Sequence, residues 1–192
     1  SEGSVQRFAF EAQPTSLAWR PRRTTPKPRT HGPQTAVVVG PAAEEIWTDQ
    51  HGRIKVQFHW DRLGRHDENT SCWMRVSSNW AGANFGEVAL PRIGQGVIVD
   101  FLNGDPDCPI VIGRVHNADL MPAWALPAQK HLAGYRSREL GGGERGNHLA
   151  LDDTSGKPQA QLKSDHLSSS ISLGHMGRIE STAGRQEDRG QG

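Results

Sequence analysis

No apolar run in this chain approaches the ~20 residues that carry a helix across a bilayer, so nothing in it reads as a membrane span. Cysteine is scarce. Cys72 and Cys108 lie 36 residues apart, a spacing that fits neither a zinc site nor a thioredoxin motif. They read as free thiols lining a core in a reducing compartment. Apolar residues are 34% of the 192 and aromatics 6%, with a single tyrosine. That is thin for one compact globule. Amphipathic helical periodicity is missing, and 22 glycines with 12 prolines favour turns. There is no His-Glu-x-x-His pair, no Gly-x-Ser-x-Gly elbow and no phosphate loop. Those absences remove the usual routes to metalloprotease, serine hydrolase and nucleotide chemistry. The chain runs from Ser1-Glu2-Gly3 to Gly190-Gln191-Gly192 with no signal peptide or initiator methionine, and both ends read as cuts through a longer protein.

Net charge is +1, but its distribution is uneven. Residues 18–43 hold Arg20, Arg22, Arg23, Lys27 and Arg29 and no acid. Residues 44–120 hold eleven acids and seven bases, a balance near −4. A nucleic-acid groove would carry the opposite sign.

What is present is a repeat. Leu149, Ala160 and Ile171 are eleven residues apart, and so are Leu151, Leu162 and Leu173. Apolar residues two apart share one face of a strand. Each unit therefore reads as a short strand, and a fixed short period points to a stacked β structure. Two apolar side chains per unit contribute roughly 3–6 kcal/mol when fully buried, against roughly 11–22 kcal/mol to order eleven residues. Identical partners are implied.

The rest is strand-like or extended. Residues 5–11, with Phe8 and Phe10 alternating, read as a strand end. Pro14, Pro21, Pro26, Pro28 and Pro33 make 14–33 an extended connector. Ile54, Val56, Phe58 and Trp60 alternate with polar residues, and Cys72, Met74 and Val76 do the same. Trp60 and Cys72 thereby read as core residues. Ala36–Val39, Glu87–Ile93, Val97–Leu102 and Ile110–Val115 are further strand candidates, with turns at 93–96 and 103–106. Five or six short strands over 36–116 predict an all-β, OB-like barrel with Phe58 inside. Residues 117–146 lose periodicity and read as a connector, with Gly141-Gly142-Gly143 inside it.

Candidate chemistry is sparse. Asp105 and Asp107 around Pro106 suit a turn better than acid–base work. His51, His59 and His66 lack the cysteine or acid partners of a metal site. No catalytic, cofactor-binding or metal-binding residue is assigned. Trp60, Trp73 and Trp80 are candidates to stack bases, a role the acid excess opposes.

Long motifs carry a resemblance. They include Pro26-Lys27-Pro28-Arg29-Thr30-His31-Gly32-Pro33, Asp49-Gln50-His51-Gly52-Arg53-Ile54-Lys55-Val56-Gln57-Phe58-His59-Trp60-Asp61 and Ser71-Cys72-Trp73-Met74-Arg75-Val76. Pro91-Arg92-Ile93-Gly94-Gln95-Gly96-Val97 and Asn103-Gly104-Asp105-Pro106-Asp107-Cys108-Pro109 follow in order. The chain resembles the VgrG family, spikes of the bacterial type VI secretion system, and is similar to contractile phage tail hubs. The resemblance implies the end of a hub domain with a proline-rich connector over 1–34 and an OB-fold domain over 35–117. It implies a linker over 118–145 and the start of a trimeric β-helical needle over 146–192.

It also implies a structural, non-enzymatic role without cofactor. The homotrimer would cap a tube of Hcp-like protein and carry effectors and a PAAR-type tip protein. It would wait in the bacterial cytoplasm and then be secreted through the apparatus. Leu149, Leu151, Ala160, Leu162, Ile171 and Leu173 are then expected at the trimer axis, with Gln161 and Ser172 facing solvent. The rival readings are a nucleic-acid-binding OB domain with a basic arm, and a cell-wall hydrolase for which 117–146 is too short.

Overall fold

The computed structural model describes residues 3–177 and Ile179. Its first strand, β1 (Gln34–Val39), is a run of alanine and valine that suits a buried pleat. It pairs antiparallel with β2 (Lys55–Phe58) on one side, Val38 facing Val56. On the other it pairs with β4 (Gly96–Phe101), Ala36 facing Val97. β5 (Pro109–Arg114) continues the sheet past β4, with a register shift at Ile98/Val99. The two-residue β3 (Arg75–Val76) lies parallel to β5. The sheet order is β2-β1-β4-β5-β3.

The outer strands meet just before β2 and β3 begin. The Ile54 N–H donates to the Met74 carbonyl at 3.0 Å, and the Met74 N–H returns the bond at 2.8 Å. This bridge turns a curved sheet into a small barrel. Its interior holds Ala36, Val38, Ile54, Val56, Met74, Val97, Val99, Phe101 and Val111. Most are small or β-branched, which the narrow inside of a small barrel accommodates.

Several expectations change. Phe58 is half-buried, packed against the core and stacked on Trp60 and Phe101 at 5.1 and 6.0 Å between ring centroids. Trp60 is exposed and donates its indole N–H to Gln34 at 2.8 Å. The strand ends at Phe58, so the alternation runs two residues past the sheet. Cys72 and Cys108 are both exposed rather than core-lining, because β3 begins only at Arg75 and β5 only at Pro109. Trp73 is half-buried, 6.0 Å from Trp47 with Lys55 over its ring. Residues 5–11 and 87–93 form no strands. Val88 is exposed, as are Trp80 and Phe85, which meet edge to face at 5.9 Å.

The connector over 14–33 opens with a turn, the Leu17 N–H donating to the Pro14 carbonyl at 2.9 Å, has no helix or strand, and is tied to the barrel. Lys27 reaches Asp105 at 2.7 Å and Asp107 at 2.8 Å. The Thr30 N–H donates to the Gly104 carbonyl at 3.0 Å. The Asp105 side chain also accepts the Asp107 N–H at 2.9 Å, so the acid pair is a turn that holds the arm.

The second sheet is an antiparallel meander of β6 (Leu132–Arg136), β7 (Asn147–Asp152), β8 (Gln159–Ser164) and β9 (Ser170–Gly174). The last three coincide with the three repeats. β6 lies in the stretch read as a connector, which thus contributes a strand. The β6–β7 loop returns to the barrel. Glu45 accepts the N–H groups of Gly141 and Gly142 at 2.6 and 2.9 Å and pairs with Arg92 at 3.2 Å. Arg92 also donates to the Arg138 carbonyl. Both glycines have positive φ, 83° and 75°, which aims two successive amides at one carboxylate. No helix among the described residues is long and apolar enough to cross a membrane.

Candidate assembly face

In an antiparallel pair, directly opposed residues project from the same face. The register puts Leu149 opposite Leu162, and Leu162 opposite Ile171. Leu151 faces Ala160, and Ala160 faces Leu173. All six residues expected at a trimer axis therefore sit on one face, in two ladders that cross the strands. The face is bare in a single chain: Leu149 and Leu151 are 48% exposed, Ile171 66% and Leu173 68%. Large side chains left uncovered in a contiguous patch mark a surface that another molecule covers.

β6 lengthens both ladders. Tyr135 stands opposite Leu149 and Ala133 opposite Leu151. Neither was picked out from sequence. The only available signal is Ala133-Gly134-Tyr135, one alternation in an otherwise aperiodic segment. None of the eight ladder residues is charged.

The opposite face holds a correction. Gln161 does not face solvent; it is buried with His148, Asp152, Gln159 and Ala150. Ser172, across from Gln161, is half-buried. Trp124, Ala123, Leu132 and Ile179 close this side. The polar groups bond to one another: His148 Nε2 lies 2.9 Å from Gln161 Oε1, and Gln161 Nε2 donates to Ser172 Oγ at 3.0 Å. Gln159 donates to the Gly177 carbonyl at 2.8 Å and accepts the Gly177 N–H at 3.2 Å. Asp152 accepts the N–H and hydroxyl of Thr154 at 2.9 and 2.6 Å. Buried polar groups are tolerated when satisfied in this way. The chain covers its polar face itself and leaves the apolar one open.

Charge gathers at the rim. Asp165 accepts the Gly146 N–H at 3.0 Å, with Lys163 at 3.2 Å and Arg136 at 4.0 Å. Burial pushes the Asp165 carboxyl up, but the Gly146 bond and the two cations hold it below its ordinary value. His51, His59 and His66 are all exposed on the barrel. Among the described residues no group of three or more His, Cys, Asp or Glu side chains is arranged to hold a metal ion.

Comparison with known proteins decides the family. Residues 34–116 match the type VI secretion system/phage-baseplate injector OB domain, and 138–192 match the putative type VI secretion system Rhs element Vgr. The chain is 50% identical over 182 residues to the type VI secretion system spike protein VgrG2a of Pseudomonas aeruginosa, covering 95% of this chain and 21% of that one. The chain belongs to the VgrG spike family.

VgrG1a of the same organism is 50% identical over 186 residues, which is 91% of this chain and 29% of that protein. A Vibrio cholerae relative named actin cross-linking toxin VgrG1 is 48% identical over 153 residues, 80% of this chain and 14% of its own length. The chain thus spans between a seventh and a third of these curated relatives. The barrel over β1–β5 is the OB domain of the family. Relatives with this segment are named as spike proteins of the type VI system, which is a structural role.

Proposed function

We propose that this chain is the barrel and the start of the needle in a homotrimeric type VI secretion spike. The observation that supports it most is the uncharged double ladder of Leu149, Leu151, Ala160, Leu162, Ile171 and Leu173, bare in one chain. Three copies around an axis bury all three faces at once. Burial is worth roughly 1.5–3 kcal/mol for each large apolar side chain. The pairing of short strands then stiffens the assembly, which a puncturing device needs.

The full-length trimer caps a tube of Hcp-like protein and carries a PAAR-type tip and effectors. It is assembled in the bacterial cytoplasm and then secreted through the apparatus. The segment itself is not an enzyme and binds no cofactor. Any toxic activity, as in the Vibrio relative's name, belongs to parts of a longer chain. The nucleic-acid reading loses support because Lys27 of the basic arm is engaged by Asp105 and Asp107.

The test is secretion. With Leu162→Asp in the full-length protein, tube protein should vanish from the culture medium while remaining in the cells. Unchanged secretion would contradict the proposal.

A further inference from the structure

β6 lies in neither family-matched segment, since one match ends at residue 116 and the other begins at 138. Its geometry nevertheless continues the assembly face. Tyr135 heads the ladder that runs through Leu149, Leu162 and Ile171. Ala133 heads the ladder through Leu151, Ala160 and Leu173. The Tyr135 side chain is uncovered, with 72% of the residue exposed.

Two features fix it there. Gly134 sits between Ala133 and Tyr135 with φ +141°, and a Cβ on it would collide with the Leu149 carbonyl oxygen. The missing side chain lets β6 lie tight on β7. The hairpin that follows is held to the barrel by Glu45 through the amides of Gly141 and Gly142.

We propose that β6 is the first layer of the interface between copies, with the Tyr135 ring packed against the same layer of a second copy. The inference rests on the trimer reading above and extends the interface one strand towards the barrel. The occupant is a second copy because β6 is continuous with the ladders assigned to that contact. The surface also carries no charge at any of its eight positions, so its cover must be equally apolar and uncharged. A second copy presents that surface at the same level. Tyrosine suits the end layer: its ring is buried while its hydroxyl reaches the wet rim.

Tyr135 is the one tyrosine in the chain, so 3-fluorotyrosine labels it alone. The readout is the ¹⁹F shift between H₂O and D₂O, measured on the chain whose mass in solution has been determined. In the trimer, the solvent isotope shift should fall below half of that of free 3-fluorotyrosine. Tyr135→Asp should raise the concentration for half-dissociation roughly tenfold or more, while Tyr135→Phe should leave it within about twofold. A trimer with a fully solvent-shifted Tyr135 resonance, or one indifferent to Tyr135→Asp, overturns this inference and leaves the trimer standing. A single-chain mass at high concentration overturns both.

Discussion

Ile54 and Met74 exchange two backbone hydrogen bonds, and that exchange joins the outer strands of the barrel sheet. Both side chains are buried, Ile54 completely. Ile54→Ala should therefore cost about 2–5 kcal/mol by urea unfolding, through lost burial and a residual cavity. A cost under about 1 kcal/mol would mean the barrel does not depend on this closure. Phe58→Ala should cost less than Ile54→Ala, because Phe58 is only half-buried.

The turn before β2 depends on Asp49. Its side chain pairs with Arg53 at 2.5 Å and accepts the N–H groups of His51 and Arg53, each at 3.0 Å. The Arg53 bond, foremost, holds the Asp49 carboxyl down to about 2, against burial. A depressed carboxylate pKa means the stabilisation is fully present above the unfolded value of about 4. It is lost as pH falls through about 2. An NMR titration should show the amides of His51 and Arg53 moving near pH 2 in the native protein. Arg53→Ala should move that midpoint upward, and a midpoint near 4 in the native protein would contradict the pairing.

Glu45 couples the barrel to the loop between β6 and β7. Glu45→Ala removes the acceptor for Gly141 and Gly142 and the partner of Arg92. Hydrogen exchange at those two amides should speed up roughly 10–100-fold, the worth of bonds to a charged group. Exchange in β1 and β4 should be unchanged. Equal rates at Gly141 and Gly142 before and after would show that the latch is not populated.

The six ladder residues were legible because apolar-x-apolar recurs three times at one period, a signal a sheet produces readily. Which face the chain covers itself was not legible. Gln159, Gln161 and His148 look like solvent residues, and much of the apolar cluster on their face, Trp124 with Ala123 and Leu132, lies in an aperiodic stretch. Tyr135 was missed for the same reason, since one strand cannot display a repeat. In the barrel, alternation found the strands but not their ends. Ile54 to Val56 obeys it, but Gln57 is buried and Phe58 only half-buried, and Trp60 and Cys72 continue the pattern where no neighbouring strand remains. Glu87–Ile93 has the composition of a strand, yet no barrel strand pairs with it.

The most direct test is the molar mass of this chain in solution, by light scattering across a concentration series, beside Leu162→Asp. Leu162 lies mid-ladder between Leu149 and Ile171, and the aspartate would place three carboxylates near one axis. The native chain should reach three times the 21.0 kDa of one copy, and the variant should stay at one copy with its barrel still folded. A native chain that remains single at high concentration, or a trimer that Leu162→Asp leaves intact, would contradict the assignment of this face.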